Sequence, residues 1–549
     1  MRLAEPDASA GRDEDVARIA GGEALRVAVD ATQPNALAGS RELAASTGLA
    51  AAGLFYCAAL GFVLAHDRIL TTAGDLGLHY QLVDYFQDRF ANPPADATYL
   101  AWMRIEPNIA HRLAAALARV GLRGFSSLSV VAATSTAVVW LVLFDQARRV
   151  SASVMAAALA ILLLLYWAKL RAEHGAEIIG NFFYPQIVGA AAFAVCVVAG
   201  AALLERSRWR FVAFCAASVM ICGAIHTLPA IELAGTFMVL LALDMLRAAR
   251  RGEPARLANT VGLAVNPLSV GLNPYFLTMV RAAAHNGSIV LGRLSLASLF
   301  AAEIALAGLA GWLLLKDLAQ DPPPASALGR QSRAARVLAA MALAASLAGI
   351  GQVALLQLFG VGSPYAALKY AFSINSLAVL VIPLVVWDLR GRPPAGPASR
   401  LGPLLAVAAQ TLLMAVLFLR PSSIDLAAST RLLDNATAVR IAHRLPPGEA
   451  GAVMVLSDAP PVVSFAGTIA SLRAPVDNEA VSILVDGRPI TPQALRLVTK
   501  AGDPRFDAPA CRRGPQVGTL VVVAGACVVA HSPAWNAPPP AHRAPRQRP

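Results

Sequence analysis

Two carboxylates and a few cations are the residues of this chain whose types and spacing could do chemistry. Asp75 stands in Ala73-Gly-Asp-Leu-Gly-Leu-His-Tyr80, which places His79 and Tyr80 about one helical turn further on. Glu106 stands in Arg104-Ile-Glu-Pro-Asn-Ile-Ala-His111, directly ahead of a proline. A carboxylate so placed can accept the proton of an attacking hydroxyl as a general base. The complementary requirement is positive charge where a leaving anion develops. Gly362-Ser-Pro-Tyr-Ala-Ala-Leu-Lys-Tyr370 sets Tyr365 and Lys369 four apart, on one face of a short helix. Arg281 and His285 repeat that spacing. Arg171 and His174 fall in the densest polar run, Lys169-Leu-Arg-Ala-Glu-His-Gly-Ala-Glu177.

Each has a plainer reading. Asp75 could only cap a helix, and Glu106 could be an ordinary acid at a helix start. Lys369 and Arg281 could reach for lipid headgroups. The run from Lys169 to Glu177 could be a solvated loop with internal ion pairs, and this is the favoured reading of it.

The elements that must position these groups are membrane helices. Apolar residues make up 57% of the 549 and charged residues 15%, where a soluble chain carries roughly a quarter. Mean hydropathy is +0.57. Eleven apolar segments approach the ~20 residues that cross a bilayer: 46–65, 125–144, 151–168, 185–204, 211–225, 228–246, 257–272, 294–315, 337–359, 373–387 and 401–419. The net charge of +12 does not imply nucleic acid, because the arginines gather in short loops between these segments. With the N-terminus inside, loops 145–150, 205–210, 247–256, 316–336 and 388–400 are cytosolic, and all are basic. The opposite loops hold few cations. The carboxylates and candidate cations then share the outer side.

Residues 1–45 read as a disordered cytosolic tail rather than a cleavable signal. The transmembrane domain covers 46–420, with a long first external loop at 66–124. An interfacial amphipathic helix follows Asp75, its apolar face on the lipid. From 421 to 535 the pattern changes to a polar helix (432–445) and short β-branched runs (452–456, 481–485, 519–529), a small α+β domain outside the membrane. Cys511 and Cys527 fall in it, where a disulfide is allowed. Residues 536–549 are rich in proline and arginine and read as disordered. The fold class is therefore a polytopic α-helical membrane protein with a small C-terminal α+β extracytoplasmic domain.

No Walker loop, His-Glu-x-x-His run, Gly-x-Ser-x-Gly elbow or haem-attachment motif occurs. The long first external loop, with its acid, the helix beside the membrane and an acid–proline step into the second span, resembles the GT-C class of integral membrane glycosyltransferases. These include the protein mannosyltransferases and the lipid A aminoarabinose transferases. Gly74-Asp75-Leu76 with His79-Tyr80 is similar to the class's catalytic loop in position. Arg104-Ile-Glu-Pro107 is similar to its Glu-Lys-Pro-Pro-type step, with the lysine and second proline replaced. The paired acids common in the class are missing around Asp75, so a divalent cation stays an open question and no cofactor is assigned.

The resemblance implies transfer of a sugar from a polyprenyl-phosphate carrier to a lipid, glycan or protein acceptor, in the periplasmic face of a bacterial inner membrane. Asp75 is then the base and Glu106 its catalytic support. His79, Tyr80, Arg171, His174, Arg281, His285, Tyr365 and Lys369 are the substrate-binding candidates. The rival readings are a transporter or flippase and a non-catalytic assembly protein of the envelope glycan. A transporter should show internal repeats and ionisable groups near the midplane, whereas here such groups sit mainly at span edges.

Overall fold

The computed structural model describes residues 51–65, 68–70, 75–94, 98–122, 124–170, 172–179, 182–254, 256–283, 295–320, 327–391 and 402–418, and parts of the C-terminal region between 434 and 524. The chain divides into two compact units, 1–57 and 58–549. The described part of the first, 51–57, begins the apolar helix α1 (Ala51–Ala65).

Each apolar segment read from the sequence is a helix. After α1 come α2 (Leu76–Asp88), a 3₁₀ turn (Thr98–Ile105), α3 (Ile109–Arg119), α4 (Gly124–Val150), α5 (Ala152–Trp167), α6 (Tyr184–Arg206), α7 (Arg208–Ile225) and α8 (Thr227–Arg250). Then follow α9 (Leu257–Gly271), α10 (Phe276–Ala283), α11 (Leu296–Gln320), α12 (Ala327–Phe359), α13 (Pro364–Leu368), α14 (Ala371–Leu389) and α15 (Gly402–Phe418). Seven stretches among the described residues are long and apolar enough to cross a membrane, one of them running through α13 and α14. Helices α1, α5 and α15 are apolar but shorter. α9 carries Pro267 inside, which removes a backbone donor. The protein is a multi-pass membrane bundle.

α4 lies at its centre. Trp140, Phe144, Ala133 and Ala137 of this helix are wholly enclosed. Small residues permit the close approaches: a Cβ on Gly61 would stand 2.9 Å from Ala133 Cβ, and one on Gly200 would stand 2.7 Å from the Phe237 ring. Such contacts suit helices in lipid, where tight packing replaces hydrophobic transfer as the force between them.

α2 differs from its sequence-based expectation. It does not lie bare on the lipid. Leu76, His79, Tyr80, Gln81, Leu82, Val83, Tyr85 and Phe86 are all buried, on more than one face, and the helix packs against α3, α4 and the 3₁₀ turn. Its apolar positions are too widely spread around the axis for a single interfacial stripe.

In the C-terminal region β1 (Val453–Val455), β2 (Arg496–Lys500), β3 (Arg512–Val517) and β4 (Leu520–Ala524) form one sheet in the order β1-β2-β4-β3. β1 runs parallel to β2, and the other pairs are antiparallel. The β3–β4 register slips between Arg513 and Val517, where Pro515 has no N–H to give the ladder. β1 and β4 match the expected runs at 452–456 and 519–529. The expected strand at 481–485 lies outside the described residues, as do most of 432–445, the tails 1–45 and 536–549, and Cys527. Cys511 is disulfide-bonded.

Candidate functional site

α2 starts at Asp75, whose main-chain carbonyl accepts from His79 N–H at 3.2 Å. Its side chain makes no cap hydrogen bond. The carboxylate occupies the cap position without being used as a cap, so the plainer reading of this residue does not account for it. Burial pushes its pKa up from 3.8 to about 6, and Lys369 partly opposes the shift. Glu106 lies just after the 3₁₀ turn and is buried. Desolvation lifts it from 4.5 to about 7, again against the pull of Lys369. The charge of one lysine from α13–α14 thus reaches both acids of the stretch between α1 and α3, yet no direct ion pair among the described residues joins it to either.

Lys369 is fixed by aromatic faces. Its Nζ lies 4.4 Å from the centroid of the Phe183 ring and 4.6 Å from that of Tyr365. The two rings meet edge to face at 5.9 Å. An ammonium over two π faces is oriented by them without a carboxylate partner. Ser363 caps the short α13 by accepting from Ala366 N–H at 3.2 Å, and Pro364 follows at its first position, which sets the start of the Tyr365–Lys369 pair. Gln186 donates to the Lys369 carbonyl at 3.0 Å. Its own Oε1 is buried without a partner among the described residues.

The two acid-bearing segments are bound into one body. Arg112 of α3 bonds Asn108 Oδ1 and Asn92 Oδ1, each at 2.8 Å, and covers the Phe86 ring at 4.3 Å. Asn108 gives its amide hydrogens to Asn92 Oδ1 at 2.9 Å and to the Tyr275 hydroxyl at 3.1 Å. Arg119 bonds the carbonyls of Phe86 and Gln87, each at 2.6 Å, near the end of α2. The Tyr184 hydroxyl donates to Ala110 O at 2.7 Å and ties α6 to α3. His79 Nδ1 and His111 Nε2 are 2.9 Å apart, with Phe182 and Tyr184 edge-on to His79. Burial holds His79 well below its usual basicity and brings His111 down to about 3. Both rings are therefore neutral at physiological pH, one donating and one accepting.

Among the sequence-based candidates the structure brings Asp75, Glu106, Tyr365 and Lys369 into one electrostatic neighbourhood, and His79 also feels Lys369. Tyr80 is stacked on Phe125 at 3.9 Å and 12°, inside the protein. Arg281 is exposed in the last turn of α10. Arg171 and His285 lie outside the described residues.

The run containing His174 is not a solvated loop. Glu173, His174 and Glu177 are all buried. His174 Nδ1 meets Glu177 Oε1 at 3.1 Å, its carbonyl accepts from Trp140 Nε1 at 2.8 Å, and its N–H donates to Ser376 at 2.9 Å. Gly175 takes φ +105 with Thr136 Cγ2 where a Cβ would be, a conformation and a space open only to glycine. The polar side chains turn inward because they serve backbone groups that a membrane-facing loop could not leave unbonded.

Three further residues neighbour the cation: Phe183, Gln186 and His226. His226 caps α8, accepting from Leu228 N–H at 3.2 Å, and is kept far less basic than usual by burial and then by Lys369. Its place ahead of Thr-Leu-Pro was the available signal, as a cap ahead of a proline at the helix start. Ionisable groups are also not confined to span edges. Glu232 of α8 is buried and accepts from Ser373 at 3.1 Å. Glu303 is buried within α11, pressed against Gly349, where a Cβ would stand 2.0 Å from its Oε1. No group of histidine, cysteine and acid side chains suited to a metal ion occurs among the described residues.

No family model matches this chain, and no curated protein is similar to it. Among solved structures it is similar to the crystal structure of ArnT from Cupriavidus metallidurans bound to undecaprenyl phosphate. Identity is 17%, the match covers 87% of this chain and 98% of that one, and the TM-score is 0.37.

Proposed function

We propose that this protein is a membrane glycosyltransferase that moves a sugar from a polyprenyl-phosphate carrier to an acceptor hydroxyl at the outer face of the bilayer. The observation that carries the reading is the relation of Asp75 and Glu106 to Lys369. A half-buried and a buried carboxyl both feel the charge of one ammonium, and no ion pair among the described residues joins it to either. Buried charges of opposite sign normally pair. Held apart, they suit a reaction in which a proton leaves one side of the substrate and an anion leaves the other.

The two acids have separate parts. Asp75, at about 6, is mostly ionised at neutral pH and is the base for the acceptor hydroxyl, its pKa close to the working pH. Glu106, pushed up to about 7, positions the acceptor by hydrogen bonding. Environments that push two like groups to different pKa values assign them different parts. Lys369 meets the phosphate whose charge grows as the glycosidic bond breaks. The Gln186 carbonyl offers an acceptor for a sugar hydroxyl.

Replacing Asp75 by Asn tests the reading. In membranes holding equal amounts of each protein, turnover of a polyprenyl-phosphate sugar should fall by about a hundredfold or more, with the thermal melt intact. Full turnover by Asp75→Asn would remove the base from the proposal. A wild-type protein that leaves every lipid-linked sugar untouched while moving one across vesicles would replace transfer by transport.

A further inference from the structure

Two acids inside the spans have no part in the proposed transfer. Glu232 of α8 and Glu303 of α11 are wholly buried. Ser373 donates to one oxygen of Glu232 at 3.1 Å. The other oxygen is buried without a hydrogen-bond partner, as are both oxygens of Glu303. Folded proteins normally satisfy such atoms, and an unserved carboxyl within a span is costly.

Three helices converge on these groups. A Cβ on Gly349 of α12 would stand 2.0 Å from Glu303 Oε1, so the carboxyl of α11 fills the space that the glycine leaves open. A Cβ on Gly235 would stand 3.2 Å from Ala344 Cβ, which seats α12 on α8 one turn beyond Glu232. Both acids act electrostatically on Tyr370, at the start of α14. Glu232 and Ser373 stand in the first two turns of α8 and α14, and Glu303 lies about two turns into α11.

Ser346, one turn before Gly349 on α12, adds another oxygen to this level. Its hydroxyl is buried and has no hydrogen-bond partner. Thr136, Ser218 and Thr236 instead return theirs to the carbonyl one turn back, at 3.1, 2.7 and 2.8 Å. The unserved atoms are thus all oxygens, three from carboxyls and one from a hydroxyl. Such a set suits a hard cation. Zinc and its neighbours favour histidine and cysteine, and no metal-suited group of three or more histidine, cysteine or acid side chains occurs among the described residues. Two like acids sharing a site keep one proton between them, which leaves a single negative charge for an ion to balance.

We propose that Glu303 and Glu232, with the Ser346 hydroxyl, form a site for one alkali-metal cation inside the membrane, where it joins α8, α11 and α12.

Thermal unfolding of the full chain in nanodiscs tests it, with the chlorides of sodium, potassium, magnesium and choline as probes at equal ionic strength and pH. Sodium or potassium should raise the Tm along a saturating curve, and choline should not. Glu303→Gln should abolish that rise. Ser346→Ala should increase the half-saturating concentration by about tenfold, and it keeps the test decisive where Glu303→Gln fails to fold. Glu253→Gln makes the same charge change between α8 and α9 and should respond as the wild type does. An equal rise in choline, no rise in any salt, or an unaltered alkali response in either site variant overturns the site. A rise with magnesium alone overturns the monovalent ion as its occupant. No arm of the experiment reads transfer, so this proposal and the transfer reading fail separately.

Discussion

His79 Nδ1 and His111 Nε2 lie 2.9 Å apart, and this bond is the buried member of a set, with those of Arg119 to Phe86 and Gln87, that joins the helix that begins at Asp75 to the helix that follows Glu106. Removing the ring in His111→Ala strands a buried imidazole nitrogen on His79 and should cost about 1–3 kcal/mol of stability. The measurement is a denaturant or thermal melt in detergent. Because burial keeps the His111 ring neutral while the unfolded ring protonates near 6.5, the wild type carries a protonation cost at pH 6 that His111→Ala lacks, so the loss should be smaller at pH 6 than at pH 8.

Turnover should fall as the pH drops through about 6, the value to which burial brings Asp75. Below it the base carries its proton and cannot accept another. A profile of kcat/KM against pH should show a limb of unit slope on the acid side. In Asp75→Asn, what activity remains should lack that limb.

Glu106→Gln should make the protein more stable at pH 8 while impairing transfer. The carboxyl titrates at 4.5 when unfolded and at about 7 when folded, so the native state binds the extra proton between these values. Stability therefore falls as pH rises from 4.5 to about 7, and the full cost of ionising the buried group is felt above that. Glutamine cannot ionise, and the gain at pH 8 is up to about 3 kcal/mol. At pH 4 the gain should vanish. Melts at both values decide it.

Lys369→Met should raise KM for the lipid-linked donor more than it destabilises the protein, since the ammonium rests on rings rather than on a carboxylate. Phe183→Leu removes one of the two faces and should weaken donor binding by an amount in the range of one cation–π contact, about 0.5–2 kcal/mol. Donor titrations in nanodiscs measure both. Equal KM in all three proteins would take Lys369 out of the phosphate site.

The helices are legible in the sequence because an apolar run long enough for a bilayer has few other uses. Lys369 and Asp75 are legible because a charge that interrupts apolar sequence is conspicuous. Tyr80 looks like a ligand-facing aromatic, yet it stacks on Phe125, because a juxtamembrane helix hides its rotation when it is buried on several faces. His174 and Glu177 look solvated and are enclosed, since backbone groups in the fold need them and no local pattern records that need. Phe183 and His226 owe their places near Lys369 to helices far apart in sequence, and only packing brings such ends together.

The acids stand between α1 and α3 and Lys369 at the junction of α13 and α14, with most of the helices between them in sequence. During synthesis both carboxyls leave the ribosome well before their counter-charge exists. Until α13 and α14 insert, Asp75 and Glu106 lack the cation whose charge opposes the rise that burial imposes on them. The charge set is thus completed late and by a single segment.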